Sequence, residues 1–151
     1  MRRWKVGGAL IPHGDGLVLV SNRRKDGPIE WSPPGGEIDA GETVLAGLAR
    51  EVREETGLVV ASWSHRTYTV TVEAPDMGWL MRVEAWLAAD VTGDVVIDDP
   101  DGIVEEVRFA AGHEAPGLLS ASPPWVQVPL VDWLAGGVNA EYRFALHGTQ
   151  R

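Results

Sequence analysis

The chain has 18 Gly and 10 Pro among 151 residues, and one stretch escapes them almost entirely. From Thr43 to Thr56 the only breaker is Gly47, apolar residues recur at helical spacing, and Gly57 follows as a C-terminal stop. With Glu51 at the origin and about 100° per residue, Val44, Leu48, Val52 and Leu45 fall at about 20°, 60°, 100° and 120°. They form one core-facing stripe. Glu55 falls at about 40° and Glu54 at about 300° on the same wheel. The three carboxylates therefore adjoin the buried stripe instead of opposing it. Like charges three and four residues apart repel, and partial burial sharpens the repulsion. Two compensations are open: a hard divalent cation such as magnesium or manganese held by carboxylate oxygens, or surface pairing with Arg50 and Arg53. A side-chain-free loop at Gly35 and Gly36 suits the first, since it can bring a carbonyl oxygen to the ion.

Around this helix the pattern is mainly strands. Val6–Pro12 and Leu17–Val20 read as a strand pair about the His13-Gly14-Asp15-Gly16 turn. Trp31-Ser32-Pro33-Pro34-Gly35-Gly36 excludes helix and predicts a fixed, exposed turn. Residues 58–74 and 79–91 are rich in Val, Thr, Trp and Tyr and flank Pro75-Asp76-Met77-Gly78, which predicts a long antiparallel pair. Residues 93–102 read as an acidic loop, 104–109 as a strand and 112–119 as the start of a short helix. Residues 125–134 read as another helix whose start is blurred by Pro129, and 141–146 as a last strand. Many strands with few helices indicate an α+β chain of one domain over 1–151.

The net charge of −9 argues against binding a nucleic-acid backbone or an anionic membrane. No run is long enough for a membrane span or a signal peptide, so the expected location is the cytoplasm. The absence of cysteine excludes disulfides, thiolate zinc sites and a cysteine nucleophile.

The segment from Gly36 to Leu58 resembles the signature of the Nudix hydrolase family. Gly36, Glu42, Arg50, Glu51, Val52, Glu54, Glu55, Gly57 and Leu58 fill that pattern without departure. A chance match in a chain this long is on the order of one in ten million. The resemblance implies an α/β/α sandwich with a mixed sheet between helices, and magnesium-dependent hydrolysis of a diphosphate linkage in a nucleoside diphosphate derivative. It also implies Glu51, Glu54, Glu55 and the Gly35 carbonyl as metal ligands, with Arg50 orienting the Glu side chains and Glu42 pairing with Arg50. The general base is Glu51 first, then Glu106 or Glu105, with Glu114 also eligible. Arg23 and Arg24, with Lys25, are candidates for substrate phosphates, and Trp31 is a candidate base-stacking ring. The other six Trp are assigned to core or interface.

The expected partner is a small nucleotide. A nucleoside triphosphate is the default by family analogy, ahead of nucleotide sugars and ADP-ribose; the other class open is a nucleotide-sensing module without turnover. The Trp-rich hairpin is the candidate interface of a homodimer.

Overall fold

A computed structural model of the chain describes residues 1–23, 27–96 and 104–147, without the side chain of Glu105. The described strands are β1 (Arg2–Leu10), β2 (Pro12–His13), β3 (Gly16–Asn22), β4 (Glu30–Ser32), β5 (Gly35–Glu37), β6 (Val59–Ala74), β7 (Trp79–Thr92), β8 (Val104–Ala110) and β9 (Glu141–Ala145). The helices are α1 (Val44–Thr56), the single turn α2 (Ala115–Leu118) and α3 (Pro124–Leu134). Five strands form a mixed sheet in the order β5-β1-β7-β6-β9, with β1–β7 and β6–β9 parallel and the other pairs antiparallel. A second, antiparallel sheet is built on β3, flanked by β4 and β8 and joined at one end by β2.

Two apolar clusters fill the spaces between these layers. In one, Leu130 of α3 meets Leu10, Leu17, Leu19, Tyr68, Val70 and Val72. In the other, Leu48 and Val52 of α1 meet Ala9, Ile11, Val18 and Leu58. Strand β3 gives Leu17 and Leu19 to the first cluster and Val18 to the second, so both of its faces are buried. Helices therefore cover the mixed sheet on opposite sides, as the resemblance implied. Helix α1 lies close on β1 because Gly7 has no side chain; a Cβ there would come 3.3 Å from Leu48 Cδ1.

Several expectations hold and three need correction. The long hairpin is present as β6 and β7, with its turn at Pro75–Met77. The register shifts at four points between Val60 and Tyr68, and β6 supplies Val60 to one core and Tyr68 to the other. The first correction concerns β1 and β3, which do not pair: β1 joins β5 and β7, and only Pro12–His13 turns back onto β3. The chain changes sheets at Ile11, whose carbonyl accepts from the Val18 N–H at 3.0 Å. The second concerns the Trp31–Gly36 segment, which is two short strands joined across Pro33 and Pro34, with Pro34 buried and its carbonyl accepting from the Ala9 N–H at 2.8 Å. The third concerns Pro129, which blurs no boundary: α3 starts at Pro124 and runs through it. Most of the predicted acidic loop, 97–102, lies outside the described residues.

Leu48 is fully buried between helix and sheet, so Leu48→Ala is expected to remove about 2–5 kcal/mol of stability. In urea titration the midpoint should fall while the m-value stays unchanged.

Candidate active site

Helix α1 carries the charged cluster, and its ends are fixed locally. Thr43 caps it, its hydroxyl accepting from the Ala46 N–H at 3.1 Å, and Gly57 closes it at φ 82°. On the wheel, Leu48 and Val52 are fully buried, and Glu55, between them and Glu51, is only 7% exposed. A buried carboxylate needs donors. Glu55 has the backbone of β5, where the Gly35 N–H donates to Oε1 at 3.0 Å. The same strand leaves no room for side chains. A Cβ on Gly35 would lie 2.0 Å from the Gly7 carbonyl oxygen, and one on Gly36 would lie 3.1 Å from the Glu51 carboxylate.

Burial pushes the Glu51 carboxyl above its ordinary range, against a hydrogen bond with Glu55 and the charge of Arg50. Arg50 gathers the acidic groups. It grips Glu42 with two parallel bonds, Nε to Oε2 at 2.8 Å and Nη2 to Oε1 at 2.9 Å, the planar fork that suits a guanidinium. Its Nη1 reaches Glu51 at 3.2 Å and Glu54 at 3.3 Å, and Nη2 reaches Asp39 at 3.3 Å. Arg50 first, then the Asp39 N–H, hold the Glu42 carboxyl below its usual range. Asp39 was not singled out in the sequence; it precedes the helical run, and only the loop brings it to Arg50. Arg53 is exposed and joins none of the described ion pairs, so of the two arginines weighed as neutralisers Arg50 alone serves.

The oxygen donors of Glu51, Glu54, Glu55 and the Gly35 carbonyl have the hardness that magnesium or manganese requires. Two partly or fully buried carboxyls in mutual contact also call for a shared proton or a cation between them. Among the described residues no three acidic or imidazole groups converge as a ready cage. Arg50 holds both Glu51 and Glu54 through Nη1.

Gly35 and Gly36 also form one end of a cleft of about 470 Å³. Its walls are aromatic: Trp4 and Trp79 come from the neighbouring strands β1 and β7, Trp31 from β4 and Trp125 from α3. Trp79 and Trp125 also pack against the main core, as their assignment to core or interface expected, and Trp4 stands beside them in the cleft wall. Alternation could have placed Trp4, Val6 and Gly8 on one face, but not revealed that this face is open. Trp31 does line the cleft, with Ser122 Oγ donating to its carbonyl at 2.5 Å and Arg108 lying 5.3 Å from its ring centre.

The remaining candidates lie elsewhere. Arg23 is exposed, donates to the Gly27 carbonyl at 3.4 Å and is absent from the cleft lining; Arg24 is outside the described residues. Glu106 pairs with Arg108 at 3.5 Å beside a separate hollow next to Trp31. Glu114 accepts from the Ala111 N–H at 2.9 Å just ahead of α2. The Glu105 side chain is not described.

Comparison with known proteins agrees with this architecture. The NUDIX domain model matches residues 1–134. Phosphatase NudJ of Escherichia coli K12 is 31% identical over 84 residues, 56% of this chain and 45% of NudJ, so the match spans under half of that relative. Among solved structures, the Escherichia coli ORF135 protein superposes with a TM-score of 0.73 at 20% identity, over 90% of this chain and 91% of that one. An ADP-ribose pyrophosphatase from Streptococcus suis gives 0.60 at 22% identity, over 93% and 98%. At these identities the structures establish the shared fold. The chain belongs to the Nudix family, whose hydrolases generally use a divalent metal.

Because a side chain at residue 35 would strike the β1 backbone, Gly35→Ala should lower the thermal unfolding midpoint by at least about 4 °C. Differential scanning calorimetry checks this; an unchanged midpoint would mean that β5 can leave β1 freely.

Proposed function

We propose that this chain hydrolyses the diphosphate linkage of a nucleoside diphosphate derivative, with a nucleoside triphosphate as default substrate and magnesium as cofactor. The observation that carries this reading is adjacency: one end of the cleft is Gly35–Gly36, directly against the carboxyls of Glu51 and Glu55. The rest of the cleft is shaped for an organic group.

In this reading Glu51, Glu54, Glu55 and the Gly35 carbonyl hold the ion. When bound, such an ion neutralises phosphate charge, polarises the phosphoryl oxygens and lowers the pKa of a coordinated water. Glu51 is the proton acceptor at a carboxylate oxygen. Its burial raises its affinity for a proton, the direction a general base needs. Arg50 keeps Glu51 and Glu54 oriented, and Glu42 fixes the guanidinium plane that does so. Among the described residues the cleft lining has no cationic side chain, so in this reading the bound ion meets the phosphate charge there. Glu106 and Arg23 do not line this cleft and take no part in this reading.

Two measurements test the reading. Product release from a panel of nucleoside triphosphates, ADP-ribose and nucleotide sugars should require magnesium and stop with excess chelator. Glu54→Gln and Glu55→Gln should each lower turnover at least about 100-fold with an unchanged circular dichroism spectrum. Rates within threefold of the parent would overturn the assignment.

A further inference from the structure

Strand β9 is an outer edge of the mixed sheet, paired with β6 along one side. The Thr69 N–H donates to the Ala140 carbonyl and the Leu146 N–H to the Glu73 carbonyl, so Ala140, Tyr142, Phe144 and Leu146 turn their backbone groups toward β6. Successive residues of a strand point these groups to opposite sides, so Glu141, Arg143 and Ala145 turn theirs outward. The Glu141 N–H donates there to Asn139 Oδ1, at a long 3.4 Å. Such an edge is a template for another strand. Helix α3 adds an apolar side to it. Only Gln127 and Asp132 of its residues are polar, a composition that suits a helix enclosed all round. Yet Val131, Trp133 and Leu134 are half-buried and Val128 is 46% exposed. Val128 stands one turn before Asp132 and shares its side of the helix, and Asp132 accepts from the Tyr142 hydroxyl of β9. The exposed apolar side of α3 therefore lies along the same edge.

We propose that this edge binds a second copy of the chain, β9 running antiparallel to β9 about a twofold axis through Tyr142. That register sets Glu141 directly opposite Arg143 of the second copy, and symmetry repeats the pair. Both residues turn their backbone to the interface, so each pair exchanges two N–H···O bonds while opposite charges face each other across the strands. Charge selects this register. An axis through Glu141 or Arg143 would set like charges face to face, and one through Phe144 would set Arg143 opposite Ala145. Arg143 can serve both neighbours, since it meets Glu73 through Nη1 at 3.4 Å in an exposed pair. The same register carries Val138, 95% exposed, opposite the half-buried Leu146 of the second copy. The expected homodimer contact is thereby placed at β9 rather than on the long hairpin. Because β9 and β5 are opposite edges of the sheet, the pairing is independent of what the carboxylates of α1 hydrolyse.

Sedimentation equilibrium of the full chain should show a dimer at about 100 µM that dissociates on dilution. Arg143→Glu and Glu141→Arg should each weaken it at least about tenfold by setting like charges face to face. Combining the two restores opposite charges, and the dissociation constant should return to within about threefold of the parent's. A merely damaged fold would not recover in that way. Hydrogen exchange followed by NMR needs no variant: the Arg143 amide should exchange at least about tenfold more slowly where the dimer is populated than after dilution. A monomer at about 100 µM overturns the proposal. So does a dimer indifferent to both single reversals, or an Arg143 amide whose exchange ignores concentration. Single reversals that dissociate the dimer without recovery in the combined variant overturn the register.

Discussion

The site depends on two strands meeting without side chains between them. Gly35 of β5 lies against Gly7 and Gly8 of β1, close enough that one methyl group would strike a carbonyl oxygen. That approach puts the Gly35 N–H where the buried Glu55 can accept from it and leaves the Glu51 carboxyl pressed against Gly36. Hydrogen bonding compensates the desolvation of Glu55, which would otherwise penalise packing α1 so deeply. The helix in turn reaches this depth because Gly7 admits Leu48. Backbone proximity, helix position and carboxylate placement are thus one arrangement seen from three elements.

Arg50 supplies the second organising force. Asp39, Glu42, Glu51 and Glu54 all reach its guanidinium, and their surroundings differ. Asp39 is well exposed, so its bond is screened and weak. Glu51 is much less accessible, and its attraction to Arg50 acts through a drier medium. The bidentate grip on Glu42 fixes the guanidinium plane, leaving Nη1 to face both Glu51 and Glu54. One cation thereby restrains four acidic groups.

Much of this was legible in the chain. The helical wheel placed Glu51 and Glu55 beside the buried stripe, and Gly57 marked the helix end because a glycine stop is local chemistry. The family signature located the carboxylates and Arg50, and the strand-rich pattern gave the class of fold. Sheet membership was not legible, since nothing local tells Val6–Leu10 to pair with Val83–Leu87 instead of with β3. The aromatic cleft escaped for the same reason. Alternation assigns Trp4 and Trp79 to a face, but whether that face is filled or left open depends on where α3 settles. Asp39 joins Arg50 through a loop, which no periodicity describes.

The course of α3 has a mechanical consequence. Pro129 has no N–H to offer the carbonyl one turn earlier, at Trp125, so the helix lacks its internal strut at the residue that walls the cleft. Trp125 packs instead against the main core, to which Leu130 and Leu119 belong. The gape of the cleft is therefore tuned from inside the protein. Residues that never meet a ligand, by the volume they occupy, set how wide the aromatic jaw stands.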